Sequence, residues 1–208
     1  MGLDRLVNPT AERALNWAFG LSVLGWTIAG FAADVRESQI SSARLVICAL
    51  NLSVAWLFLT RSPTRKGGSA AQIAVSLPAL LVAGWAARAT VPLFQWPTSA
   101  QIVFAAGGAL AIVSLISLGR SFAILPALRR VVVRGPYAWV RHPAFLGELT
   151  MILACCIADA GALRFLPIVV AVPLVAVRIL AEEKVLTTSD AYPDYARKVR
   201  WRLIPGVW

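Results

Sequence analysis

Six runs of apolar residues, separated by polar segments, alternate along the chain. The first four extend from about Ala14 to Ala33, from Ile40 to Thr60, from Ala71 to about Ala87 and from Ser99 to Leu118. The last two extend from Ala144 to about Ala162 and from Phe165 to Leu180, and their short connection predicts a helical hairpin. Because a helix rises about 1.5 Å per residue, about 20 apolar residues cross the roughly 30 Å core of a bilayer. The pattern therefore predicts an all-α, polytopic membrane helix bundle of about six transmembrane helices (five to six).

Several residues inside these runs carry predictions of their own. Arg44 lies near the start of the second run, where a long side chain can reach the interface. Pro78 predicts a kink in the third span, which neighbouring helices can accommodate. The segment AAGGALA at residues 105–111 favours close helix packing, because small residues let two backbones approach. Glu148 needs a partner or a cavity, since an unpaired carboxylate inside a span is costly.

The apolar pattern is interrupted between residues 120 and 143, where five arginines and three prolines exclude a continuous span. It ends at Glu182, after which the chain is polar and basic. This change of character predicts two regions: a four-span amino-terminal membrane region at residues 1–119, and a second region at residues 120–208 that contains the hairpin and the polar segments.

Composition agrees with a membrane protein and excludes several functions. The chain is 59% hydrophobic and 14% charged, against roughly 25% charged residues in an ordinary soluble domain. Its net charge of +10 is spread between the apolar runs rather than gathered in one stripe, so anionic lipid headgroups are the expected partners and nucleic acid is not. With a single histidine and three cysteines inside apolar runs, no metal site is predicted.

The basic residues also predict an orientation. With the amino terminus on the cytoplasmic side, sixteen of the twenty lysines and arginines lie in inner segments of the six-span arrangement. Lysine and arginine collect on the cytoplasmic face of membrane proteins. We therefore expect a multi-pass integral membrane protein with both termini and the polar segments of the second region in the cytoplasm.

Two polar clusters flank the predicted hairpin on this inner face. One is the segment RGPYAWVRHPAFLGE from Arg134 to Glu148, which holds the only histidine, and the other comprises Arg178, Glu182 and Glu183. Because a hairpin begins and ends on one face, its two inner ends can meet. Simpler interpretations stay open at this point: Arg178 and Glu182 have the spacing of a surface ion pair on one helix, and the arginines can serve as topological anchors.

The motifs GPYAWVRHPAFLGE, LAEEKVL and YPDYARKVRWRLIPG resemble, in order and spacing, those of the isoprenylcysteine carboxyl methyltransferase and phospholipid methyltransferase family of integral membrane enzymes. The resemblance extends over about residues 115 to 206. It implies methyl transfer from S-adenosylmethionine to a lipophilic acceptor that enters from the bilayer, with the cofactor in a cytoplasm-facing pocket. Residues 120–208 would then be the catalytic region.

The family pattern also implies site residues. Carried over position by position, the catalytic residues would be Arg141, His142 and Glu183, and the cofactor-binding residues would be Tyr137, Arg141, His142, Pro143, Phe145, Leu146, Gly147, Glu182 and Glu183. The chain departs from the pattern in two places. Phe145 stands where the family usually has tyrosine, and Ser189-Asp190-Ala191 replaces a common Phe-Gly before the tail.

The chemistry of S-adenosylmethionine agrees with these residue types. Glu182 or Glu183 can hold its ammonium or ribose hydroxyls, Arg141 or His142 its carboxylate, and Tyr137 or Phe145 its adenine or sulfonium. The acceptor stays open between a prenylated protein carboxylate, a free isoprenoid acid, a phospholipid amine, and a thiol or another small molecule with a nitrogen or sulfur nucleophile. Two further functions also stay open: an NADPH-dependent sterol-type reductase, and a non-catalytic lipid-binding membrane protein.

Overall fold

The computed structural model describes residues 9–60, 66–67, 78, 81–87, 91–121, 127–128, 131–159 and 161–208. The helices are α1 (Pro9–Arg36), α2 (Ser42–Thr60), α3 (Thr98–Leu118), α4 (Pro143–Ala158), α5 (Leu166–Leu186) and α6 (Ala191–Lys198), and residues 81–87 are also helical. Short 3-10 turns lie at Leu93–Gln95, Gly119–Ser121 and Gly135–Ala138. Two short strands, β1 (Lys66–Gly67) and β2 (Ala127–Leu128), pair antiparallel.

The helices confirm the prediction of a polytopic membrane helix bundle. By length and composition, three helical segments can cross a membrane, namely Arg13–Arg36, Ser42–Thr60 and Thr98–Leu118, and Pro143–Ala158 is a shorter apolar helix. Most of the third predicted span, which starts at Ala71, lies outside the described residues. The count of six spans, the orientation and the two-region division at residue 119 stay predictions.

The carboxy-terminal helices differ in extent from the sequence prediction. Helix α5 continues past Leu180 to Leu186, so both glutamates of the Glu-Glu pair lie on its last turns. Helix α6 was not predicted from the sequence. Its residues Tyr192 and Tyr195 are buried on one side of the helix, while most of its other side chains face outward. Tyrosines three residues apart lie on the same face of a helix, which explains why so short a segment stays helical against the protein.

Small residues bring α3 and α4 into close contact, as the AAGGALA segment predicted. A β-carbon at Gly147 would lie 2.7 Å from the carbonyl oxygen of Gly107 and 2.8 Å from the nitrogen of Ala111. Around this contact, Phe104 of α3, Ile152 of α4 and other buried residues form the main apolar core. This packing determines where the first turn of α4 lies relative to α3. It therefore also positions the segment from Arg134 to Glu148 that contains His142, called the His142 segment below.

Candidate active site

The His142 segment begins with a 3-10 turn at Gly135–Ala138 that only glycine can start without strain. Gly135 has φ of 62°, a left-handed value, and a β-carbon there would lie 2.7 Å from Oγ of Ser117 in α3. The turn buries Tyr137, whose carbonyl oxygen accepts a hydrogen bond from the Tyr195 hydroxyl at 2.8 Å. The GPY motif therefore fixes one wall of the site against α3 and α6.

Backbone hydrogen bonds to the carboxy-terminal tail (residues 199–208) hold the next residues. The amide of Arg141 donates to the Trp201 carbonyl at 2.9 Å, and the amide of His142 donates to the Arg202 carbonyl at 2.9 Å. Pro143 then starts α4 at a position where its missing N–H costs nothing. Two distant parts of the sequence thus form one short pairing beneath the site.

The carboxylate of Glu183 is the centre of the charged cluster. Its Oε1 lies 2.9 Å from Nη1 of Arg141 and 3.2 Å from Nε2 of His142. Its Oε2 lies 2.9 Å from Nη2 and 3.0 Å from Nε of Arg202. The predicted convergence of the two hairpin ends is therefore confirmed for Arg141, His142 and Glu183.

This cluster is buried, and its charges do not cancel. His142 is 5% and Glu183 7% exposed. Burial by itself raises the pKa of Glu183, but His142, Arg202 and Arg141 together lower it from 4.5 to about 2. Glu183 is therefore ionised at neutral pH, and two guanidiniums face this one carboxylate whatever the protonation state of His142.

Glu182 lies apart from this cluster. It is partly buried, and its charge acts on the neighbouring Tyr137 hydroxyl, whose pKa is raised chiefly by burial and further by Glu182. Within the part of the chain that the structure describes, Glu182 has no cation within ion-pair distance. Within the described residues, the site therefore separates a region of excess positive charge from a carboxylate that no cation neutralises.

Two buried polar atoms at the site have no hydrogen-bond partner among the described residues. They are Nε of Arg141 and the hydroxyl of Tyr192. Both side chains interact electrostatically with Glu183 or its partners, and burial is the main cause that raises the pKa of Tyr192, so its hydroxyl keeps its proton. Buried donors without partners are costly, and both are suited to the oxygen atoms of a polar ligand.

Phe145 connects this cluster to a second ion pair deeper in the hairpin. The His142 ring stacks on the Phe145 ring at a centroid distance of 5.8 Å. The guanidinium of Arg178 lies 4.5 Å from the centre of the same ring, and its Nη1 is 3.5 Å from Oε2 of Glu148. Glu148 thus has the partner that its position in a span required. Arg178 is 6% exposed, so the interpretation of Arg178 and Glu182 as a surface pair is wrong.

The remaining candidate residues have packing positions. Leu146 lies in an apolar cluster with Val175, Ile179 and Leu203, and Pro143 is buried at the start of α4. Gly147 faces α3, where its lack of a side chain is required by the helix contact. Sequence reasoning did not select Arg202, Tyr192 or Tyr195 as site residues, although the tail motif that contains them was part of the resemblance.

Residues 100–188 match a family model described as the isoprenylcysteine carboxyl methyltransferase (ICMT) family. The match begins in α3, includes the His142 segment, the hairpin and the Glu-Glu pair, and ends before α6 and the tail. No curated protein sequence matches the chain. Among the described residues, no group of three or more histidine, cysteine, aspartate or glutamate side chains is arranged to hold a metal ion. Over residues 100–188 the chain is therefore similar to the isoprenylcysteine carboxyl methyltransferase family, as the motifs predicted.

Proposed function

We propose that this chain is a membrane-embedded S-adenosylmethionine-dependent methyltransferase that acts on a lipophilic acceptor, with its site on the cytoplasmic face. The observation that carries the proposal is the charge arrangement around Glu183. The amino-acid end of the cofactor is a zwitterion, and the site offers an excess of cations at Arg141 and Arg202 together with a separate carboxylate at Glu182. The family match supports the reaction class.

Each candidate residue then has a defined task. Arg141, with its unsatisfied Nε, and His142 would hold the carboxylate of the cofactor, and Glu182 would hold the ammonium or a ribose hydroxyl. Tyr137 and Phe145 would supply flat walls for the adenine or the sulfonium. When bound, the cofactor supplies the electrophilic methyl group, and its sulfur leaves with the electron pair of the broken bond. The protein contributes alignment and the exclusion of water.

Arg178 favours one class of acceptor. It is buried and contacts the Phe145 ring, on which His142 stacks, and a guanidinium binds a planar carboxylate in a two-pronged fashion. A carboxylate is already a nucleophile, so it needs orientation and removal of its water shell rather than a base. We therefore propose an acidic lipophilic acceptor, such as a prenylated carboxylate, before an amine or a thiol, for which His142 would have to accept a proton.

The test begins with cofactor binding by calorimetry in detergent. The wild type should bind S-adenosylmethionine but not NADPH, and His142→Ala should bind at least tenfold more weakly while still folding. Binding of NADPH but not of S-adenosylmethionine would indicate a reductase instead. Binding of neither compound would favour a non-catalytic lipid-binding protein.

Product analysis then identifies the acceptor. Membranes that contain the protein are incubated with methyl-labelled cofactor, and the labelled lipid-phase product is analysed by mass spectrometry. A methyl ester, which mild base releases as methanol, would support the carboxylate, whereas a base-stable product would assign an amine or thiol acceptor.

A further inference from the structure

The tail at residues 199–208 contacts the site directly, although it lies outside the region that matches the family. Besides the two backbone hydrogen bonds from Arg141 and His142, the Arg200 carbonyl accepts a hydrogen bond from Nη2 of Arg141 at 3.1 Å. Three successive tail residues therefore line the segment that carries the two candidate cofactor ligands.

The tail is itself anchored at two points. Leu203 is 7% exposed and lies in the apolar cluster with Val175 and Ile179 of α5. The carbonyl oxygen of Trp208 accepts hydrogen bonds from the amides of residues 202, 203 and 204, at 2.9, 3.0 and 3.2 Å. This compact turn fixes the backbone of Arg202 against the hairpin.

The side chain of Arg202 is oriented by these contacts. Its guanidinium lies 5.3 Å from the centre of the Trp208 ring and places both Nε and Nη2 within 3.0 Å of Oε2 of Glu183. Because Arg202 occupies one carboxylate oxygen in a two-pronged contact, the other oxygen is turned toward Arg141 and His142. Without it, the carboxylate of Glu183 would be held only through Oε1, and the tail would lose its only charged contact with α5 among the described residues.

We infer that Arg202 is a positioning residue of the methyl-donor site: it fixes Glu183, and through Glu183 and the tail pairing it holds Arg141 and His142 in the orientation that receives the cofactor. This inference rests on the proposed function. Arg202 needs no contact with the cofactor for this role. Its loss should weaken binding of the methyl donor while leaving the Michaelis constant for the acceptor unchanged, because the acceptor approaches from the bilayer side.

The experiment compares Arg202→Ala and Arg202→Lys with a matched control, Arg200→Ala. Arg200 is in the same tail, but its side chain is exposed and only its carbonyl contacts the site. In Arg202→Ala, the calorimetric Kd for S-adenosylmethionine should rise on the order of 10- to 100-fold, as expected for the loss of charge-assisted hydrogen bonds. Arg202→Lys should recover part of this loss, and Arg200→Ala should bind like the wild type.

Amide hydrogen exchange provides a second readout that needs no cofactor. The amides of Arg141 and His142 donate to tail carbonyls, so both should exchange faster in Arg202→Ala and stay protected in Arg200→Ala. A uniform loss of protection across α5 as well would indicate general unfolding. In that case cofactor affinity and amide exchange are compared between Arg202→Gln and Arg200→Ala, because glutamine keeps part of the side-chain length and one hydrogen-bond donor group.

The outcomes separate this inference from the proposed function. Wild-type affinity for S-adenosylmethionine in Arg202→Ala, or in Arg202→Gln where that variant is needed, would overturn the inference and leave the proposed function intact. The same holds if Arg200→Ala binds as weakly as Arg202→Ala. Failure of the wild type to bind S-adenosylmethionine would overturn the proposed function, and the positioning role would be overturned with it.

Discussion

Charged side chains gather at both ends of α3, and the two groups are built differently. At its amino-terminal end, where Ser42 contacts Gln101, Asp34 of α1 and Arg44 of α2 form a two-pronged ion pair with contacts of 2.6 and 3.1 Å. The other group surrounds Glu183, beyond the end of α3 where Ser117 meets Gly135. The first pair joins residues close in sequence, whereas the second cluster joins a turn, a helix end and the tail.

Charge balance is the difference that matters for function. Asp34 and Arg44 neutralise each other, and their side chains are 18% and 23% exposed, beside a cavity of about 330 Å³ that is lined partly by polar groups. Glu183 faces two guanidiniums and an imidazole in a more buried position. A balanced pair is sufficient to join two helices, but buried excess charge costs free energy unless an anion compensates it. The comparison therefore favours a structural role for the first group and supports the proposal of a ligand at the second.

Removing each carboxylate in turn is the strongest test of this difference. Glu183→Gln leaves the largely buried Arg141 and the partly exposed Arg202 without their counter-charge, and breaking a buried pair costs about 3 to 5 kcal/mol. We expect roughly 100-fold weaker binding of S-adenosylmethionine or a complete loss, and a lower thermal unfolding midpoint in detergent.

The matched variant is Asp34→Asn. It should cost about 1 kcal/mol of stability, as partly exposed pairs do, and leave cofactor affinity unchanged. Equal effects of the two variants on cofactor affinity would contradict the division between a structural pair and a ligand site.

The helix contact that positions the cluster provides the next test. A β-carbon at Gly147 would come within 3.0 Å of backbone atoms of α3, so Gly147→Ala must separate the helices, at a cost of about 1 to 3 kcal/mol. It should lower the unfolding midpoint and weaken cofactor binding, because α4 carries His142 at its start. Gly25→Ala, where no atom lies within 4 Å, is the control and should change neither quantity.

Long-range contacts of this kind explain what the sequence could and could not predict. The α-helical spans were predictable because the length of an apolar run alone decides whether it can cross a bilayer. The proximity of Arg141, His142 and Glu183 was predictable from the motif order, since a hairpin brings its two ends together. Arg202 was not predictable, because nothing in the spacing of the tail indicates that its backbone turns to pair with residues sixty positions earlier.

Helix rotation was the second unpredictable quantity. Periodicity allowed Arg178 to pair with Glu182 on the same helix, but the packing of α4 on α5 turns Arg178 inward to Glu148 and Phe145. The same packing gave Gly147 a role that the family motif by itself assigned to the cofactor. Sequence spacing limits which partners a side chain can have, but the tertiary structure determines which of them it contacts.

A smaller effect should follow from the aromatic ring between the two ion pairs. Phe145→Leu removes the stack on His142 and the cation contact with Arg178, each worth on the order of 0.5 to 2 kcal/mol. Cofactor affinity should fall several-fold, less than in Glu183→Gln because the charged contacts remain. Phe145→Tyr keeps the ring and should bind nearly as well as the wild type. If Phe145→Leu binds the cofactor as tightly as the wild type, the Phe145 ring does not contribute to the cofactor site.

The weakest expected response is that to mild acid, and it follows from the surroundings of Glu183. A carboxyl group whose pKa is lowered on folding stabilises the protein above its unfolded pKa and loses that contribution as the pH falls toward the folded value. For Glu183 this window lies between about 4.5 and about 2. The difference in unfolding midpoint between the wild type and Glu183→Gln should therefore stay constant from pH 8 to pH 5.

Below that range, the same difference should shrink steadily, because protonation of Glu183 makes the wild type resemble the glutamine variant. Thermal unfolding of both proteins in one detergent, measured in steps of half a pH unit, gives this difference directly and cancels the titration of groups that do not interact with Glu183. A difference that stays constant below pH 5 would mean that the pKa of Glu183 is ordinary, and one that grows as the pH falls from 7 to 5 would mean that its pKa is raised. The two guanidiniums and His142 would then not stabilise its charge, and the contrast with the balanced Asp34 pair would lose its physical basis.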